Sequence, residues 1–193
     1  DPTWDLRWDI GADETTPHTA GVNAPLSGRF IDSSLKSYWS FDGADTAWTS
    51  ATAGTTADLS GNNNTGTMTN MSRSTSPVAG INGQGLKFDG INDYVSVGAP
   101  PNLGVTQGTL GVWVNKGSYD SSQGHNIVSL REPYTTGRIE LKLNEWSGIS
   151  NVLFSLGSTV DGDTGYDLPS SQTWYHLVLT WSNESWWLYS NGQ

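Results

Sequence analysis

The sequence contains no cysteine, and that one absence removes disulfide staples, thiolate zinc sites and thiol nucleophiles together. It is also short of charge. Only 15% of its 193 residues are Asp, Glu, Lys or Arg, against about 25% in ordinary globular chains. Basic residues are the scarcest: nine Lys and Arg face nineteen Asp and Glu, for a formal net charge of -10. Such a chain has no basic stripe to release counterions from a phosphate backbone, so no nucleic acid partner is expected. Attraction to anionic lipid fails for the same reason. No apolar run approaches the roughly 20 residues that span a bilayer, which argues against membrane insertion. A signal peptide with a basic start and an apolar middle is missing from the beginning, where residue 1 is Asp. Helical periodicity is nearly absent as well.

What is present is aromatic and turn-rich. Ten Trp, seven Tyr and four Phe make 11% of the chain, with 23 Gly, too aromatic for simple disorder. Short alternating runs separated by Gly, Asn, Asp and Ser recur throughout. Ser37–Phe41 alternates and breaks at Asp42-Gly43, and 43–66 reads as a long ordered loop of small polar residues. Further strands are expected at 85–88, 94–97, 110–114, 127–130, 139–143, 152–156, 174–181 and 186–189. Nine or ten short strands without βαβ alternation predict an all-β fold, an antiparallel two-sheet sandwich or jelly roll. No internal repeat of fixed period is visible.

The two ends differ in texture. Residues 1–15 alternate Trp4, Leu6 and Trp8 with charges, and 16–35, with Pro17 and Pro25, reads as a linker or extended arm. The last residues run into Asn191-Gly192, a strong hairpin signal because both positions accept positive φ. A hairpin with one arm predicts a chain processed or cut from something longer.

Five blocks carry a family resemblance. They are Tyr38-Trp39-Ser40-Phe41-Asp42, the stretch 57–67, Gly85-Leu86-Lys87-Phe88-Asp89-Gly90-Ile91-Asn92-Asp93-Tyr94-Val95, the stretch 108–114, and 173–181 with 188–193. In this order they resemble the laminin-G-like, concanavalin A-like jelly roll of secreted bacterial proteins, over residues 36–193. The resemblance implies a concanavalin A-like sandwich, a secreted, extracellular or cell-surface location, and further strands beyond the Asn-Gly turn. A sandwich without its closing strands exposes edges, which another chain, the arm at 1–35 or a longer sequence is expected to cover. Trp8-Asp9-Ile10-Gly11-Ala12-Asp13-Glu14 resembles the end of a parallel β-helix domain of the pectate-lyase-like kind, which makes 1–15 the tail of a preceding domain.

The metal candidate is the loop Asp58-Leu59-Ser60-Gly61-Asn62-Asn63-Asn64, with Asp42 as a second carboxylate. Calcium takes six to eight hard oxygens, and Asp58, Asn62, Asn64 and Asp42 could supply several. The family resemblance supports a structural Ca2+ here. The alternative for the same residues is a set of Asx turns that cap local backbone amides. Asp89–Asp93 reads as a hairpin turn, and the carboxylates of 161–167 as an exposed loop.

Catalysis has little to stand on. Glu140 and Glu145 are five residues apart and point to opposite sides of a regular strand, whereas a glycosidase pair needs one face. His18, His125 and His176 are too scattered for zinc, and no Gly-x-Ser-x-Gly elbow occurs. Trp and Tyr rings stack on the apolar faces of sugars. Trp48, Tyr119, Tyr134, Trp146 and Tyr166, in or beside expected loops, are the ligand-binding candidates. Trp39, Trp113, Trp174 and Trp181 are expected in the core, and Trp186-Trp187 places one indole on each face. The expectation is a non-catalytic carbohydrate-binding or adhesion module with a glycan or cell-surface polysaccharide as partner. The alternative is a structural subunit or connector of an extracellular filament, completed by strand exchange with copies of itself.

Overall fold

Alternation at period two turns most of this chain into sheet. The computed structural model describes residues 34–97, 106–117, 125–131, 138–144, 151–157, 160–168, 173–183 and 185–193. The tail expected at 1–15 and the linker expected at 16–35, apart from Ser34 and Leu35, lie outside them. Thirteen strands are described: β1 (Thr46–Trp48), β2 (Ala53–Thr56), β3 (Gly66–Thr69), β4 (Pro77–Ala79), β5 (Gln84–Leu86), β6 (Tyr94–Ser96), β7 (Gln107–Asn115), β8 (His125–Arg131), β9 (Arg138–Asn144), β10 (Asn151–Leu156), β11 (Val160–Asp167), β12 (Trp174–Ser182) and β13 (Ser185–Ser190). All pairings are antiparallel. The fold is the all-β concanavalin A-like sandwich that the sequence implies.

Two sheets build the main core, one ordered β11-β10-β9-β8 and the other β13-β12-β7. Along β12, Tyr175, Leu177, Leu179 and Trp181 are buried while the residues between them face outward. They meet Ile139, Leu141 and Leu143 of β9 and Val152, Phe154 and Leu156 of β10 in one cluster. Each fully buried Leu or Phe contributes about 1.5–3 kcal/mol relative to leaving it exposed, so this seam dominates stability. A smaller sheet, β1-β2-β3-β6, buries Met68, and Met71 is buried just beyond β3.

Three expectations need correction. Ser37–Phe41 is not a strand: Tyr38 N–H donates to Asp58 Oδ1 and Tyr38 C=O accepts from Leu59 N–H. Phe41 then takes a positive φ of 57°, which ends any extended run. The supposed loop at 43–66 contains β1 and β2. Small residues permit it, because a Cβ on Gly54 would lie 2.6 Å from both Ala47 O and Met68 Cε.

The third correction concerns 161–167, which forms the edge strand β11 rather than a loop. Gly162 lets the strand cross the Phe154 ring, where a Cβ would collide with it, and Asp163 and Asp167 stay exposed. Charge on an edge strand discourages unwanted pairing. The Asn-Gly turn forms as expected: Asn191 and Gly192 have φ of 51° and 80°, and Ser190 and Gln193 exchange backbone hydrogen bonds of 2.9 and 3.1 Å.

Candidate functional site

The Asp58 loop is tightly organised. Asp58 Oδ1 accepts from Tyr38 N–H and Ser60 N–H, and Oδ2 from Ser60 Oγ and Asn64 N–H, each at 2.9 Å. Asn62 Nδ2 donates to the carbonyls of Leu35 and Lys36, and Asn64 Nδ2 to Lys36 C=O and Ser37 Oγ. Partial burial raises the Asp58 pKa, but the N–H donors of Tyr38, Ser60 and Asn64 outweigh it and hold the carboxyl below the usual range.

A carboxylate offers about four acceptor positions, and Asp58 spends four on its own chain. An ion would have to displace those donors, so the residues as arranged do not fit calcium. Asp42 is engaged elsewhere, with Oδ1 accepting from Ala44 N–H at 3.2 Å. Among the described residues no group of three or more His, Cys, Asp or Glu is placed to hold a metal.

Asp89–Asp93 is not a hairpin, because the strands on either side, β5 and β6, pair with β4 and β3 in different sheets. Asp89 Oδ1 accepts from Ile91, Asn92 and Asp93 N–H. These donors, Ile91 foremost, hold its carboxyl below the usual range. Glu140 is buried at 0% exposure on β9, flanked by Ser129 of β8 and Ser155 of β10. Ser129 Oγ donates to Glu140 Oε1 at 3.0 Å. Glu145 lies outside the described residues. An acid catalyst must reach its substrate, and Glu140 is closed off.

Of the ring candidates, Trp48 is on β1 and Tyr166 on β11, in different sheets. Tyr119, Tyr134 and Trp146 lie outside the described residues. Tyr166, Trp186, Leu188 and Ser190 line a cleft of about 310 Å³, where Trp186 also leans on Phe154 with centroids 4.4 Å apart.

The outward face of β13-β12-β7 carries rings that residue type alone would put in the core. Trp113 is 47% exposed rather than in the core, because Leu110, Val112 and Val114 take the inward positions of β7. Its indole stacks on the His176 ring across the ladder, with centroids 4.7 Å apart. Trp187 is 51% exposed and Tyr189 is exposed beside it on β13, so Trp186 and Trp187 do face opposite ways. Trp181 is buried as expected, while Trp39 and Trp174 are half-buried. Strict alternation along β7 was the signal that could have moved Trp113 to the surface.

From the ladder register and ordinary strand spacing, Trp113 and Trp187 Cα atoms lie about 17 Å apart, with Tyr189 about 12 Å from Trp113. The rings stand on paired strands rather than loops, so their separation is fixed by the sheet. Three exposed rings on one sheet face make it the candidate binding face.

No helix among the described residues is long and apolar enough to cross a membrane. Neither a curated protein nor a solved structure matches the chain. A match to one family does cover residues 89–193, from within the third resemblance block through the Asn-Gly turn. That span holds every strand of the two core sheets, β7 to β13. The chain belongs to the concanavalin A-like lectin/glucanases superfamily.

Proposed function

We propose that this chain is a non-catalytic carbohydrate-binding or adhesion module of a secreted or cell-surface protein, and that it binds through the outward face of β13-β12-β7. Membership of a lectin/glucanase superfamily is compatible with this reading. The observation that carries it is the set of exposed rings, Trp113, Tyr189 and Trp187, displayed on one sheet face. Indole and phenol rings give large rigid contact area at small entropic cost, and they stack on the C–H faces of sugar rings. Burial of Glu140 supports the non-catalytic part.

The test is a glycan array probed with the 193-residue chain and with Trp113→Ala. Binding that weakens in the variant supports the reading. Silence across plant, algal and host glycans contradicts it.

A further inference from the structure

The charge of the aromatic face separates classes of glycan. Outward positions alternate along each strand, from Gln107 to Asn115 on β7, Trp174 to Ser182 on β12 and Ser185 to Tyr189 on β13. No Asp, Glu, Lys or Arg occupies any of them, although the chain as a whole carries a net charge of -10. His176 is the one titratable side chain there apart from Tyr189, and its ring lies against Trp113. The remaining polar groups are hydroxyls and amides, such as Thr109, Thr180 and Asn115, which donate and accept without charge.

We infer that the ligand of this face is an uncharged, linear glycan lying obliquely across β7, β12 and β13, with Trp113 under one end and Trp187 under the other. The inference rests on the carbohydrate reading above. A uronic or sulfated glycan finds no Lys or Arg at the described outward positions and is repelled by the rest of the acidic chain. A cationic glycan finds no carboxylate at those described positions. Burying a charged ligand group without a partner is unfavourable, so charge matching selects the neutral class.

Shape selects a chain over a single sugar. The two indoles are about 17 Å apart by strand geometry, a distance no single pyranose ring covers. Tyr189 lies between them along the strand direction. Between Trp113 and Tyr189 the row crosses β12 at His176 and Val178, and Gly111 flanks it on β7. A Cβ there would meet only His176 Nε2 and Val178 Cγ2, both at 3.9 Å.

Affinity electrophoresis of the full 193-residue chain tests this, with gels containing neutral mixed-linkage glucan, xylan or galactomannan, or acidic alginate or sulfated galactan. The expected result is retardation by at least one neutral polymer and by neither acidic one. Trp113→Ala and Trp187→Ala should each weaken that retardation at least tenfold, and Trp187→Phe, which keeps a ring, should weaken it less. Retardation by acidic polymers equal to or stronger than by neutral ones overturns the neutral assignment and leaves the carbohydrate reading standing. Neutral retardation untouched by both alanine variants overturns the face. No retardation by any polymer overturns the carbohydrate reading itself.

Discussion

Trp113 and His176 stack across the β7–β12 ladder with their planes 20° apart, on the outside of the sandwich. The pair covers one face of the indole with the imidazole and so sets the angle the ring presents to a ligand. Aromatic pairs of this kind are worth about 0.5–1.5 kcal/mol beyond area burial. His176→Ala should therefore lower stability by about that amount and weaken glycan binding further by freeing the Trp113 rotamer. Urea unfolding and a binding titration on the same preparation check both; a variant that binds as tightly as the parent removes the positioning role.

Acid should loosen the Asp58 loop. Because Asp58 titrates below the usual carboxylate range when folded, its contribution is fully present above the unfolded value of about 4 and is lost as pH falls through the lower folded value. Asp58→Asn removes the charge but keeps an acceptor, so its melting temperature should fall less steeply than the parent's between pH 5 and pH 2. Parallel melting curves would count against the assignment.

Removing Asp58 altogether strands the N–H groups of Tyr38, Ser60 and Asn64. Hydrogen bonds to a charged group are worth about 1.5–3 kcal/mol each, so Asp58→Ala should cost at least about 2 kcal/mol. Amide exchange at 36–38 and 59–64 should rise with it. Unchanged exchange there would show that the loop does not depend on this carboxylate.

A chelator should leave the melting temperature where it was. An ion that prefers the native state must stabilise it, and Asp58 already spends its acceptors on its own backbone. A fall on chelation, restored by calcium alone, would reinstate Asp42, Asp58, Asn62 and Asn64 as ligands.

Packing at the β10–β11 edge gives an independent check of register. Phe154 lies where a Cβ on Gly162 would stand, so Gly162→Val should overpack the core and cost about 1–3 kcal/mol. Gly165→Ala, at a positive φ of 64° but with nothing within 4 Å, should be milder. Equal effects would mean that β11 does not cross Phe154.

The sandwich was legible because β7, β9, β10 and β12 repeat apolar residues at period two, and that pattern survives any choice of loop conformation. β1 and β2 were not legible, since apart from Trp48 they hold only Ala, Gly and Thr, which carry no alternating hydrophobic signal, and they are strands through Met68 and the close approach at Gly54. β11 was hidden by its carboxylates, which an edge strand tolerates on its open side. The Asp58 loop was legible as Asx chemistry, but its partners, Leu35 to Tyr38, are about 25 residues away in sequence and only the fold brings them in. The aromatic face was half legible: Trp186-Trp187 declared one outward indole. Trp113 was assigned by its residue type, when its position in the alternation decides its side.

Trp113, Tyr189 and Trp187 are proposed to bind a neutral glycan together. Calorimetric titration of the chain and of Trp187→Ala, with the neutral polysaccharide that retards the chain most, tests it directly. Affinity should fall at least tenfold in the variant while its stability stays within about 0.5 kcal/mol, as for an exposed side chain. Equal affinity in the two proteins would contradict it.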